Sequence, residues 1–183
     1  MTDSREKKGE PSRFLVENSD LLPEGKALDI AMGSGRNAVY LARIGFDVEG
    51  VDISEEAVKE ALKRAHSLEV PLKAVVADLE DGYRIEKNAF DVIICFNYLY
   101  RPLIPQIKEG LRRGGMVVYQ TFIMDQARFG KPKNPDHLLK HNELLDLFRE
   151  LRCLRYHEGI YENQRALAGL IAQKSPITSA LAP

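Results

Sequence analysis

Apolar and polar positions along this chain follow two periods in turn. Residues 27–32 form an apolar run broken only by Asp29, and similar runs recur at 47–53, 72–77, 90–96 and 116–122. The run at 90–96 is nearly continuous, as in a strand buried on both faces. Between these runs the spacing changes to three and four residues. Ala57, Val58, Ala61, Leu62 and Ala65 form one stripe, and Leu103, Ile104, Ile107 and Leu111 a second. Leu144, Leu145, Leu147, Phe148 and Leu151 form a third. A further helix starts near Asn37 and ends at Gly45. Two last strand-like runs, 153–161 and 165–173, flank Glu162-Asn163-Gln164 and read as an antiparallel hairpin. Strands that alternate with helices predict an α/β fold, a doubly wound and mostly parallel sheet with helices on both faces.

Turn and cap residues punctuate the same pattern. Gly33-Ser34-Gly35 separates the first strand from its helix. Glycines there allow positive φ and close approach of a ligand. Free N–H groups at the helix start face that ligand. Ser54 is suited to cap the next helix, with Glu55 and Glu56 at its positive end. Arg112-Arg113-Gly114-Gly115 is expected to close the helix that begins near Leu103, with cations at its C-terminal end. Phe14, Leu15, Asn18 and Leu22 can share one face of a short helix over 12–22, which either lies over a ligand cleft or caps the sheet edge. Residues 123–141 read as a long polar loop, a length associated with function. Residues 1–11 are expected to be disordered, 12–174 to form one domain, and 175–183 to be a loose tail.

Composition adds exclusions. A length of 183 residues with 44% apolar and 29% charged residues fits one water-soluble domain. The net charge is −1, and the short basic groups Lys7-Lys8, Arg112-Arg113 and Lys131-Pro132-Lys133 are scattered, which argues against a nucleic-acid partner. Cys95 and Cys153 both lie in apolar runs and read as small buried hydrophobes. The four histidines show no metal-binding spacing, so no metal site is expected. The charged start is not a secretory signal, and no apolar run approaches membrane-spanning length, so the expected location is cytoplasmic.

The candidate chemistry starts at the glycine turn. About 20 residues beyond it, Asp52 stands near the end of the second strand, where an acid accepts hydrogen bonds from ribose hydroxyls. A nucleoside-containing cofactor follows. Gly33-Ser34-Gly35-Arg36-Asn37-Ala38 also matches the G-x-G-x-x-A dinucleotide pattern, so an NAD-dependent oxidoreductase is one reading. That reading accounts for Gly33, Gly35, Ala38 and Asp52 but leaves Asp29 and Asp78 without a role. It also finds no tyrosine–lysine pair and no room for a separate catalytic domain. Asp29 inside an apolar strand has few structural roles, because a buried unpaired carboxylate is costly. Asp52 alone is also consistent with an acid at a helix start, and Asp78 alone with a turn residue.

Taken together, these segments resemble the class I S-adenosylmethionine-dependent methyltransferases over roughly residues 26–174. Leu28-Asp29-Ile30-Ala31-Met32-Gly33-Ser34-Gly35 resembles that family's first motif, and Gly50-Val51-Asp52-Ile53-Ser54 its ribose-binding acid. Val76-Ala77-Asp78-Leu79 resembles its adenine-edge motif, and 90–97 and 111–118 its fourth and fifth strands. Residues 33–41 are most similar to the tellurite-resistance and thiopurine-type small-molecule branch. Ala31 and Met32 depart from the usual glycine and small residue, and alanine at 31 is the mildest replacement if its φ stays negative. Asn97-Tyr98-Leu99-Tyr100 is not the Asn-Pro-Pro-Tyr loop of base-amine methylating enzymes, which argues against such substrates.

The resemblance implies a seven-stranded sheet of order 3-2-1-4-5-7-6 with strand seven antiparallel. It also implies methyl transfer from S-adenosylmethionine to a small molecule by in-line displacement, leaving S-adenosylhomocysteine. Asp29 and the Gly33 carbonyl would hold the cofactor's ammonium, and the helix start at Gly35 to Asn37 its carboxylate. Asp52 would take the ribose diol, Ile53 the adenine face, and Asp78 with the Leu79 N–H the adenine edge. Ala31 and Asn97 complete the implied cofactor set. Tyr98 and Arg101 are candidates beside the methyl group, and Tyr100, Gln120, Arg128 and His137 candidates for the acceptor. Tyr98 and Tyr100 are equally consistent with packing, Arg101 with an ion pair, and His137 with a solvated loop. A non-catalytic cofactor-binding module is a further reading.

Overall fold

A computed structural model of the chain describes residues 9–161 and 164–175. The expected loose residues 1–8 and 176–183, and Glu162 and Asn163 of the expected hairpin turn, lie outside the described residues. Seven strands form one sheet: β1 (Lys26–Ile30), β2 (Asp47–Asp52), β3 (Lys73–Val76), β4 (Phe90–Phe96), β5 (Leu111–Phe122), β6 (Arg152–Tyr161) and β7 (Arg165–Gln173). Their order is β3-β2-β1-β4-β5-β7-β6. The pairs from β3 to β5 are parallel, and β7 runs antiparallel to both neighbours. This is the expected topology, with the β6–β7 hairpin closing one edge.

Period-two alternation sends each strand's apolar residues to two covered faces. Ala27, Val48, Val92, Ile94, Phe96 and Val118 meet α2 (Arg36–Arg43) and α3 (Glu55–Ser67), with Leu15 of the short α1 (Arg13–Val16). Leu28, Ile30, Val51, Ile93, Cys95 and Val117 face the other way, under α4 (Ile104–Gly110) and α5 (Glu143–Leu147). In α3 the Ser54 side chain accepts the Ala57 N–H at 3.2 Å, the cap read from sequence.

Several expectations need correction. The helix over 12–22 is two short pieces, α1 and a 3-10 turn at Ser19–Leu21. Residues 9–11, grouped with the disordered start, are tied down, for the Gly9 and Glu10 carbonyls accept from Arg64 and Arg36. Leu62 is exposed, one position round from the buried stripe Val58, Ala61 and Ala65. Cys153 is also exposed, because it begins a strand at the sheet's edge, whereas Cys95 is buried. Leu111 already belongs to β5, and Arg112 turns to Asp91 at 2.7 Å. The cations at the end of α4 are instead Lys108, in its last turn, and Lys174, whose Nζ donates to the carbonyls of Lys108 and Leu111 at 2.9 and 2.7 Å.

The 123–141 segment is not structureless. It contains 3-10 turns at Met124–Arg128 and Pro135–His137, and Ile123 bridges Leu139 in a parallel pair. Ile123, Gln126, Leu138 and Leu139 are buried. Arg101 clamps the segment. Its Nε and Nη2 donate to the two carboxylate oxygens of Glu143 at 2.6 and 2.9 Å, and Nη1 and Nη2 donate to the carbonyls of Asp136 and Leu138 at 2.9 Å each. The charge-assisted fork holds Glu143 below the usual carboxylate range. Replacing Glu143 with Ala is expected to cost about 1.5–3 kcal/mol, the range for losing such a bond. Hydrogen exchange should accelerate across 124–139 and stay unchanged in β1 and β4; uniform acceleration would contradict the clamp.

Candidate functional site

The carboxyl ends of β1 and β4 open onto a cavity of about 330 Å³. Its wall runs through Asp29 and Ala31 to Asn37, excepting Gly35, and through Phe96, Asn97 and Tyr98. Parallel sheets of this kind bind ligands where neighbouring strands diverge at these ends. The turn from β1 to α2 has φ +52° at Ala31, +55° at Gly33 and +73° at Gly35. Gly35 is doubly constrained, since a Cβ there would stand 2.7 Å from the Ala61 Cβ of α3. Gly33, by contrast, meets nothing within 4 Å and leaves the turn open. The condition under which alanine is the mildest replacement at 31, a negative φ, is not met. The turn imposes the left-handed region on a residue with a Cβ, a cost of about 1–2 kcal/mol.

Asp29 is 2% exposed and lies on the α2 side of the sheet. It receives the Ala38 backbone N–H, while its Oδ2 has no partner. Burial raises its pKa to about 8; the Ala38 N–H and Arg36 oppose that rise, and Asp52 adds to it. Asp52 accepts the Gly33 N–H through Oδ2 at 2.8 Å and the Ser54 N–H through Oδ1 at 2.9 Å, so it ties the second strand's tip to the glycine turn. Ile53 beside it is 65% exposed. Asp78 accepts the Glu80 N–H at 2.8 Å, the turn role read from sequence, and its charge reaches Tyr98 in the cavity wall. Leu79 is buried in the core.

The cavity wall gathers Asp29, Ala31, Gly33, Asn37, Asn97 and Tyr98 from the expected set. Asn97 has φ +58° and accepts from Arg165 at 2.9 Å. The Tyr98 hydroxyl lies 3.4 Å from Glu80, and burial and that carboxylate push its pKa well up, so it stays a phenol at neutral pH. Tyr100 packs against the core and Gln120 is buried, with neither in the wall. Arg101 is committed to its clamp. Arg128 is exposed, 3.6 Å from Asp125, and His137 ends an exposed turn. Met32, noted from sequence only as a departure from the family motif, also lines the cavity, as do Ser34, Arg36 and Phe96, which were not singled out. Ser34 and Arg36 stand inside the glycine motif, and Phe96 ends a buried strand at its carboxyl tip, which were the available signals.

Residues 27–115 match the family of methyltransferase domains. Over this stretch, just under half of its length, the chain is similar to methyltransferase domains. The chain is 24% identical over 156 residues to a probable S-adenosyl-L-methionine-dependent methyltransferase TehB of Haemophilus influenzae, covering 81% of this chain and 53% of that protein. It is 29% identical over 142 residues to a protein named hemagglutinin 1 of Eikenella corrodens, covering 74% and 46%. It thus spans about half the length of these curated relatives. The crystal structure of TehB from Haemophilus influenzae superposes with a TM-score of 0.72 at 20% identity, covering 88% of this chain and 61% of that one. Among the described residues no helix is long and apolar enough to cross a membrane, and no cluster suits a metal ion.

The chain therefore holds a cavity with an unpartnered buried carboxylate oxygen, backbone N–H groups at a helix start, and Arg36. Such a wall can take a ligand carrying both a cation and an anion. Because the folded-state pKa of Asp29 stands above its ordinary value of 3.8, its stability contribution is complete below about 4 and is lost as pH rises to about 8. Asp29→Asn is expected to remove that slope and to raise the melting temperature of the ligand-free protein most at pH 8. Thermal scans from pH 5 to 8 check this; parallel curves for the two proteins would refute it. Ala31→Gly should gain about 1 kcal/mol in denaturant unfolding, since glycine tolerates the positive φ.

Proposed function

We propose that the protein transfers the methyl group of S-adenosylmethionine to a small-molecule acceptor. The observation that carries this reading is the unpartnered Asp29 Oδ2 in the cavity wall, beside the start of α2. A buried acid left without a partner is stabilised by a cationic one, and the cofactor's ammonium is such a group. Asp29 and the Gly33 carbonyl hold that ammonium, and the N–H groups at the start of α2, with Asn37, hold the carboxylate. Asp52 keeps capacity on both oxygens for the ribose diol. Exposed Ile53 packs on the adenine, and Asp78 with the Leu79 N–H meets its edge. Ala31 and Asn97 shape the wall.

The bound cofactor supplies a methyl carbon activated by its sulfonium. The chain's own task is to align the acceptor in line with that bond and to exclude water. On transfer, the cofactor's sulfur would keep the electrons of the broken bond, and an acceptor lone pair would supply those of the new one. Tyr98, held as a neutral phenol, serves as wall and hydrogen-bond donor rather than base. Arg101 acts as a positioning residue through the 123–141 segment. Tyr100, Gln120, Arg128 and His137 are kept as acceptor candidates, and the register pairing of Gln120 with Phe96 of the cavity wall supports the second of them. We assign the protein to the tellurite-resistance and thiopurine-type branch, which the likeness to TehB supports, and to the cytoplasm. The net charge of −1 supports a small acceptor over nucleic acid.

The oxidoreductase reading gives no role to the orphaned Asp29 oxygen, and a bare binding module gives none to an ordered 123–141 segment. S-adenosylhomocysteine is expected to raise the melting temperature and NAD to leave it unchanged; stabilisation by NAD alone would reverse the choice. Asp52→Ala should weaken S-adenosylhomocysteine binding about 10- to 100-fold, the value of one charged hydrogen bond, with the fold retained by circular dichroism. A labelled-methyl screen over thiols, metalloid oxyanions, halides and small metabolites identifies the acceptor. A chain that binds cofactor and methylates none of these classes would count against an enzyme.

A further inference from the structure

The N-terminal segment is bound to the wall of the cavity. Gly9 accepts from Arg64 of α3 at 2.9 Å, and Glu10 accepts from Arg36 at 3.1 Å. The Ser12 N–H donates to Asn37 Oδ1 at 2.8 Å. Arg36 and Asn37 are consecutive in the first turn of α2, and both line the cavity. The segment thus runs from α3 across the start of α2 and ends on β5, where the Ser12 hydroxyl meets Gln120 Oε1 at 3.2 Å. Gln120 Nε2 lies 3.1 Å from His157 Nε2, and Phe14 packs edge-on to that imidazole at 4.7 Å. Phe96, Gln120, Gly169 and His157 are register neighbours across four strands. A side chain at 169 would fall on the imidazole, so glycine makes room for this anchor.

A backbone N–H can only donate. It therefore fixes the Asn37 amide, with the oxygen turned to Ser12 and both hydrogens on nitrogen left for the cavity. Ser12 is fully buried, so no water competes for that bond. We propose that Ser12 is a positioning residue for the cofactor, its N–H orienting Asn37 so that Nδ2 donates to the cofactor's carboxylate. This rests on the cofactor reading above. By linkage, a cofactor held through Asn37 tightens the 9–12 segment in return. The Ser12–Gln120–His157 contacts anchor the segment's far end at the acceptor side.

Ser12 has φ −58°, the angle proline adopts, so Ser12→Pro removes the donor without redirecting the chain. In calorimetric titrations with S-adenosylhomocysteine, S12P is expected to bind about three- to tenfold more weakly than the natural chain, the value of one neutral hydrogen bond. S12A keeps the N–H and is expected to bind at least about threefold more tightly than S12P, on the same measure. In the unmodified protein, S-adenosylhomocysteine should slow hydrogen exchange in the 9–16 peptide. Equal affinities for the natural chain and S12P, or exchange at 9–16 unmoved by bound S-adenosylhomocysteine, overturn this inference alone. Failure of the natural chain to bind S-adenosylhomocysteine overturns the cofactor reading, and this inference with it.

Discussion

The structure depends on how closely α2 approaches its neighbours as the chain leaves β1. Gly35 lies against Ala61 of α3 so tightly that a single added carbon would collide with it. That contact sets the start of α2 directly over the tip of β1 and brings Arg36 and Asn37 into the cavity wall. The Asp52 carboxylate then locks the turn from the other side by holding the Gly33 N–H. A left-handed Ala31 is tolerated because these neighbours over-determine the backbone around it.

The same geometry leaves Asp29 buried with one oxygen unanswered. Among the described residues, Asp29 Oδ2 and Arg64 Nε are the buried side-chain atoms without a hydrogen-bond partner, and the Asp29 atom is the one in the cavity wall. The folded chain thus carries the desolvation cost of an uncompensated carboxyl. The opposite rim is stabilised differently. Arg101 spreads its donors over Glu143 and two carbonyls and turns a long polar segment into a fixed border of the sheet's carboxyl end.

Much of the fold was legible because strands buried on both faces read as apolar runs and their helices repeat at 3.6 residues. The run at 90–96 and the final hairpin register as they stand in the structure. Boundaries were harder. Leu111 fits a helical stripe by spacing, yet the backbone bonds of Gly114 and Gly115 with Lys174 draw that stretch into the sheet. Leu62 and Cys153 look buried by residue type, and their exposure follows from which neighbours lie beside them. Among candidate site residues, Asp29, Ala31, Gly33, Asn37, Asn97 and Tyr98 meet in one cavity. Gln120, Arg128 and His137 lie outside its wall.

By itself, the order of residues determined the strand–helix alternation, the glycine turn, and the acids at three strand tips. Each is a local consequence of period, backbone freedom and burial cost. Only the tertiary structure decided which groups those acids meet. Asp52 is spoken for by Gly33, Asp78 by its own turn, and Asp29 by a single backbone N–H. It likewise decided that Ser12 reaches Asn37 and that Gln120 reaches His157, residues 25 and 37 positions apart. Hydrogen bonds across such separations are set by sheet register and helix docking, which no local pattern encodes.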